Sequence, residues 1–407
     1  MRQIKPILAT FKRHKAGITL IGLQIALTLA IVSNALFIIE QRMTLMSRPT
    51  GMIESNLLTI QNHWVGANAN AIPSLIKADL LTLRQLPGVA DVTQTNTFPL
   101  RGGGWTEGVR LDPNMKSRIA LAALYFVDDH GLNSMGVKLI SGRNFRADEV
   151  VELDPTATPS LPQVIITKAL ADKVYPDGSA LGKTIYISNH NPSPSTVVGI
   201  IARLQAPRHT ASFVDYAVLL PARLTSDNGT YLIRSKQGEL DTVTQAASSA
   251  LVKLNRMRVF SPEPAIRTFN VVRAQAYKND RGLAIMMGVI CIVLLVITAA
   301  GIVGLTSFWV GQRRKQIGVR RALGATQRDI LSYFLAENLL ISAGGVLLGA
   351  ALAIGLNFWM VSQFEMDRLS SIYVLIGAVV LLLLGQGAVL APALRASRVL
   401  PVEAIRM

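Results

Sequence analysis

The stretch Gln312-Arg313-Arg314-Lys315-Gln316-Ile317-Gly318-Val319-Arg320-Arg321-Ala322-Leu323-Gly324-Ala325-Thr326 combines residue types suited to recognition rather than catalysis. Five cations share it with an ordered apolar set, Ile317, Val319, Ala322, Leu323 and Ala325. Gly324 lets a helix end, and Thr326 caps the next one ahead of Asp329. A short helix displayed in this way is a lever for a protein partner. Close behind it, Glu337 falls about two turns into an apolar run, at a depth of about 10 Å by helix rise. An acid there either faces a bundle interior as a transmembrane polar site or reaches the interface and pairs with Arg328. On the same run Gly345 and Gly349 let two helices approach closely, whether the second helix belongs to this chain or to another copy.

Other constellations carry less. Gly178-Ser179-Ala180-Leu181-Gly182-Lys183-Thr184 has the look of a phosphate-binding loop, but its glycines are one residue too close and Thr184 opens a strand instead of a helix. Arg101-Gly102-Gly103-Gly104-Trp105 reads as a loop. His14, His63, His130, His190 and His209 show no metal-ligand spacing, and the sole cysteine, Cys291, lies inside an apolar run. Asp128, Asp129 and His130 are adjacent and would not converge on a helix, so they read as a solvated helix start. There is no serine nucleophile elbow and no triad. The expectation is a non-enzymatic chain with no catalytic residue, no metal site and no cofactor of its own.

Four apolar stretches must position these residues: 17–39, 283–310, 330–361 and 371–394. Each is long enough to cross a hydrocarbon core about 30 Å thick. The first reads as an uncleaved anchor rather than a signal peptide. The net charge of +16 is divided unevenly: residues 40–282 hold 26 Lys+Arg and 20 Asp+Glu, and the remainder holds 15 and 5. Most of the latter cations cluster at the ends of the apolar stretches, around Arg13, Arg313 to Arg328, and Arg395 to Arg406. That placement sets topology and argues against nucleic-acid binding. It puts a short amphipathic segment (1–16), the loop 311–329 and the tail 395–407 in the cytosol, so both termini are cytosolic. Residues 40–282 and the short loop 362–370 lie outside. The outer segment reads as α+β. Two β-α-β halves, at about 55–130 and 214–265, enclose a β-rich insert at about 140–213. Residues 266–282 run helically into the second span as a strut. The fold class is therefore a membrane α-helical protein with four transmembrane helices plus an α+β extracytoplasmic domain of two subdomains.

The loop 312–326 resembles the coupling loop of the MacB/FtsX family of ABC-transporter permeases, which typically reads R-R-K-E-I-G-I-R-R-A-L-G-A. This chain differs at Gln316, where the family usually has Glu, and at Val319. Pro392 to Arg406 is similar to the family's ending, and Leu132 to Phe145 and Tyr175 to Lys183 resemble its periplasmic core domain. The resemblance implies a permease-only subunit of the bacterial inner membrane that works by mechanotransmission. Two copies of a cytosolic ABC ATPase would supply ATP and Mg, and a second permease chain, identical or paralogous, would complete a dimer embedded in membrane lipid. A periplasmic adaptor protein is a further partner that the resemblance admits. Arg313, Arg314, Lys315, Gln316, Ile317, Gly318, Arg320, Arg321, Leu323 and Gly324 would form the ATPase-coupling surface. Efflux or extraction of an amphipathic peptide, drug or lipid-linked molecule is the implied function. The alternatives are an FtsX-like transducer controlling an envelope enzyme and a lipoprotein-releasing permease.

Overall fold

The computed structural model describes residues 15–115, 117–156, 161–187, 193–260, 266–364 and 368–398. Most of the expected amphipathic segment 1–16 and the ending from 399 onward lie outside the described residues. The chain divides into an α/β unit, Ser47–Lys278, and a helical unit built from the residues on either side of it. The α/β unit is narrower than 40–282 because the first helix, α1 (Lys15–Ser47), stays helical beyond its apolar stretch.

The α/β unit opens with β1 (Leu57–Trp64), α2 (Ile72–Arg84), β2 (Val89–Thr95), β3 (Trp105–Arg110) and β4 (Ala120–Val127). A short α3 (Gly131–Met135), β5 (Leu139–Gly142), β6 (Val151–Leu153), β7 (Gln163–Thr167), α4 (Lys168–Val174), β8 (Thr184–Ile187) and β9 (Ser193–Ile201) follow. It ends with β10 (Ala217–Leu224), β11 (Asn228–Ser235), α5 (Leu240–Leu254), β12 (Arg258–Phe260), β13 (Ile266–Thr268) and α6 (Phe269–Ala276).

One sheet has the order β12-β1-β11-β2, antiparallel throughout, with β13 sharing an edge of β1 with β12. Its two β-α-β segments, β1-α2-β2 and β11-α5-β12, share one hydrophobic core. Ile72, Ile76, Leu80 and Leu83 recur on one face of α2 and are buried there. At about 1.5–3 kcal/mol per buried aliphatic side chain, this stripe fixes the helix more firmly than propensity does. Asn68 accepts the Asn70 N–H to cap a 3₁₀ turn, and Pro73 starts α2 directly after it. Within the same layer Asp79 is buried and pairs with Arg258 at 2.8 Å, while the Tyr231 hydroxyl donates to it at 2.8 Å.

The β-rich part is a closed ring, β4-β3-β8-β9-β7-β10, because β10 also pairs in parallel with β4, Val218 opposite Leu124. Val109, Leu124, Phe126, Ile166, Leu170, Ile185, Val197 and Val218 belong to its core. The ring draws β3, β4 and β10 out of the segments assigned to the β-α-β halves, so it is larger than the expected 140–213. Parallel closure between strands so far apart leaves no local signature in the sequence. Asp128 follows β4 and corrects another expectation. It is fully buried, with Arg84 and Arg223 each 3.0 Å away and the Thr93 hydroxyl donating at 2.7 Å. It is a clamp between the two cores and not a solvated helix start.

The expected continuous helix from 266 into the second span is interrupted. Tyr277 leaves helical geometry (φ −98°, ψ 11°), its ring buried against His209 at 4.8 Å. The next helix, α7, starts afresh and covers Lys278–Gln312. It is followed by α8 (Arg314–Ala322), α9 (Gln327–Phe364) and α10 (Ser371–Ser397). α1, α7, α9 and α10 are long and apolar enough to cross a membrane. Ile21, Ile25, Leu29, Ile302, Trp309, Phe334, Ile341, Leu381 and Val389 meet in a common core. The outward faces stay apolar, with Ile292, Val296, Leu347 and Leu383 among the exposed side chains. Such faces suit lipid, which stabilises apolar surface that water would not.

Candidate functional site

α8 is set off from its neighbours by defined local geometry at both ends. Arg313 departs from helical angles (φ −98°, ψ 9°), which separates α7 from α8. At the other end the Ala325 N–H donates to the Arg320 carbonyl at 3.0 Å and the Gly324 N–H to that of Arg321 at 3.1 Å. This six-to-one and five-to-two pair is a Schellman ending, and it requires a left-handed residue, Gly324 at φ +95°. Immediately afterwards the Thr326 N–H and hydroxyl both donate to Asp329, while the Asp329 N–H returns to the Thr326 oxygen. The reciprocal box starts α9 and turns the chain back into the bundle.

One face of α8 is held down. Ile317 and Gly318 are buried, and Ile317 joins the core of the helical unit. Nη1 of Arg313 lies 3.1 and 3.0 Å from the two carboxylate oxygens of Glu337, and both side chains are largely buried. The guanidinium of Arg320 lies over the Tyr333 ring at 5.1 Å. Arg321 donates to the Ser397 carbonyl at 3.0 Å, at the carbonyl-rich end of α10, where a cation is favourable. Three arginines thus tie one short helix to α9 and α10. The opposite face, with Lys315, Gln316, Val319 and Leu323, is exposed. Leu323 is 83 % exposed, so its apolar surface has no cover among the described residues.

Glu337 therefore faces the bundle interior, and its partner is Arg313 rather than Arg328. Arg328 is exposed on the first turn of α9, whereas the helix break aims Arg313 inward. Gly345 and Gly349 lie against α1 of the same chain. A β-carbon would come within 2.9 Å of the Gly22 carbonyl oxygen at Gly345 and within 2.8 Å of that of Ala26 at Gly349. Thr28 and Thr298 share a hydrogen bond of 2.8 Å between α1 and α7, and the Asn34 amide donates to the Ala30 carbonyl at 2.9 Å. Asn338 and Ser342, which the sequence reading did not single out, are buried on α9 with Glu337 and complete a polar row. Their apolar neighbours hid them.

The remaining candidates dissolve into structure. Lys183 lies over the Tyr175 ring at 4.4 Å in the stretch that imitates a phosphate loop. His63 contacts Asn228 at 2.8 Å, His130 contacts Asp91 at 2.7 Å, and the His209 ring meets that of Tyr277 edge-on. Among the described residues no group of three or more His, Cys, Asp or Glu side chains is arranged to hold a metal.

Comparison with known proteins agrees with this division. Residues 16–255 match the MacB-like periplasmic core domain, and residues 288–401 match the FtsX-like permease C-terminal region. The uncharacterized ABC transporter permease YvrN of Bacillus subtilis is 24% identical over 71% of this chain and 71% of its own length. A macrolide export ATP-binding/permease protein, MacB of Chromobacterium violaceum, is 23% identical over 78% of this chain, which spans about half (49%) of that relative. The crystal structure of the periplasmic region of MacB from Actinobacillus actinomycetemcomitans aligns over 57% of this chain and 97% of its own, with 15% identity and a TM-score of 0.33. Four apolar helices with a periplasmic-type domain fit an inner-membrane protein. With its periplasmic core domain ahead of an FtsX-like permease region, the chain belongs to the MacB-like ABC transporter permease family.

Proposed function

We propose that this chain is a permease subunit that transmits motion from a partner ABC ATPase, docked on α8, to the α/β unit outside the membrane. ATP and Mg belong to that partner, present in two copies. A second permease chain, identical or paralogous, completes the assembly. α8 and both termini face the cytosol, where the cations from Arg313 to Arg328 and from Arg395 to Arg398 favour the inner side. The cargo is an amphipathic peptide, drug or lipid-linked molecule, exported or extracted on the outer side; relatives named as macrolide export proteins support an export role.

One observation carries the reading. α8 is held by Arg313, Arg320 and Arg321 on one side and offers Val319 and Leu323 on the other. A force applied to the exposed face reaches α9 and α10 through those fixed contacts. The buried polar groups of α1, α7 and α9 meet at helix contacts, which suits spans that transmit motion. Capture tests the reading: the full chain in detergent is used to retain its ATPase subunit. Wild type retains it and Leu323→Asp loses it; equal retention by both contradicts docking at α8.

A further inference from the structure

A cavity of about 390 Å³ in the α/β unit lies between the open sheet and the ring, and its described lining is almost all uncharged. Cross-strand register fixes which face of the sheet it uses. Ile60, Tyr231 and Gln94 are paired across β1, β11 and β2, and Ile60 and Tyr231 belong to the core shared with α2 and α5. One residue along, Gln61, Thr230 and Thr95 are paired, so they point the other way, towards the cavity they line. Thr230 is 3 % exposed, and its hydroxyl has no partner among the described residues. A buried hydroxyl left unpaired is destabilising, and a ligand that pairs with it offsets that penalty.

The facing wall comes from the ring. Trp105, the first residue of β3, lines the cavity and stands edge-on to Phe126 at 5.1 Å. Its indole N–H has no partner among the described residues either. The loop ahead of it is pinned, because the Gly102 N–H donates to the Pro207 carbonyl at 3.0 Å and the Thr97 hydroxyl to that of Gly103 at 2.7 Å. Leu100, buried in the same loop, is held at φ +70°, the only described non-glycine residue with a positive φ. Such strain concentrates at functional sites. Asn96 is locked onto β4, where its amide donates to the Leu124 carbonyl and accepts the Phe126 N–H, each at 3.0 Å. Arg101 is exposed and donates to the Asn96 carbonyl. No other lysine or arginine, and no aspartate or glutamate, is among the described lining residues. β11 is paired along both edges, so a peptide cannot add to it as a strand. The cavity therefore offers hydroxyl and amide groups beside an indole, an apolar plate with one N–H. That combination suits a ligand with many hydroxyls, no charge and an apolar ring face.

We infer that this cavity binds a neutral saccharide, its ring against Trp105 and a hydroxyl exchanging a hydrogen bond with Thr230. The inference adds a headgroup class to the export reading and rests on it only for calling the ligand cargo. Binding is therefore measured without the ATPase, so a negative result here leaves coupling at α8 standing. Maltose, cellobiose and N,N′-diacetylchitobiose are titrated separately into the full chain in phosphatidylcholine nanodiscs and followed by saturation-transfer NMR, against empty nanodiscs. At least one sugar is expected to bind saturably. Thr230→Val, which keeps the shape of the side chain, weakens that binding at least about threefold, and Trp105→Leu at least about tenfold, with the thermal transition kept. Arg101→Gln stays within about threefold of wild type, because no charge is recognised. In a Cys291→Ala chain, Asn228→Cys at the exposed rim reacts with a maleimide at least about threefold more slowly when the sugar is present at about ten times its dissociation constant. Saturable binding by none of the sugars overturns the assignment. So does an unprotected Asn228→Cys, unchanged affinity in a folded Thr230→Val or Trp105→Leu, or a loss beyond about threefold in Arg101→Gln.

Discussion

Arg313 and Glu337 form a buried ion pair at the point where α7 gives way to α8, with both carboxylate oxygens within about 3 Å of one guanidinium nitrogen. The residue that breaks the helix is thus also the one that fastens the break to α9. Removing one partner leaves an uncompensated buried charge, worth about 3–5 kcal/mol. Arg313→Met or Glu337→Leu alone is expected to lower the thermal transition of the full chain substantially. The double variant, which removes both charges, recovers most of the loss. It does not recover ATPase coupling, because the tether is gone. A double-mutant cycle read by thermal unfolding checks the first part and ATP hydrolysis by the complex checks the second.

Gly349 faces the α1 backbone, whereas Gly344 has open space beside it. Gly349→Leu should therefore separate α1 from α9 and cost about 2 kcal/mol or more by overpacking. Gly344→Ala should be neutral within about 0.5 kcal/mol. Thermal unfolding in detergent distinguishes the two, and equal stability of both variants contradicts the close approach.

Asp128 accepts from Arg84, Arg223 and Thr93 with no exposure of its side chain. Asp128→Ala leaves two guanidinium groups facing each other and should cost about 3–5 kcal/mol. Asp128→Asn keeps the shape and loses the charge, so it should also destabilise, by less. Limited proteolysis within the α/β unit reads the loosening of the clamp directly.

Glu149 gives the chain an acid-sensitive contact. The hydrogen bond from Arg143 and those from Arg146 hold its carboxyl at about 2, against 4.5 for the free group. A depressed carboxyl stabilises fully above the unfolded value and loses that contribution as pH falls from about 4.5 to about 2. Arg143 is 42 % exposed, so solvent screening leaves about 1 kcal/mol. The stability gap between wild type and Glu149→Gln should be present at pH 7 and vanish near pH 2. A gap that is independent of pH contradicts the assignment.

Local features of the fold were legible in the sequence. Gly324, Thr326 and Asp329 announce the end of one helix and the start of the next, and the apolar stripe of α2 is visible as Ile76, Leu80 and Leu83. What escaped depended on distant pairing. Arg328 stands nearer to Glu337 in sequence, but the irregular angles at Arg313 decide which cation turns inward. Asp128, next to Asp129 and His130, reads as a solvated helix start until Arg84 and Arg223 arrive from other elements. Ring closure rests on a parallel β4–β10 pairing that no short window contains. Tyr277 interrupts a polar stretch with no Pro or Gly to mark the break, because its cause is packing against His209.

On the proposed function, α8 couples ATP hydrolysis by the partner to the rest of the chain. The decisive measurement is the ATP hydrolysis rate of the complete complex in lipid nanodiscs, with wild type compared against Leu323→Asp and Arg320→Asp. Leu323 is exposed, so its variant should keep the wild-type thermal transition, while a charge on an apolar docking tip costs about 2 kcal/mol or more. Stimulation by the permease is expected to fall at least about tenfold in both variants. Wild-type stimulation by a folded Leu323→Asp permease would contradict it.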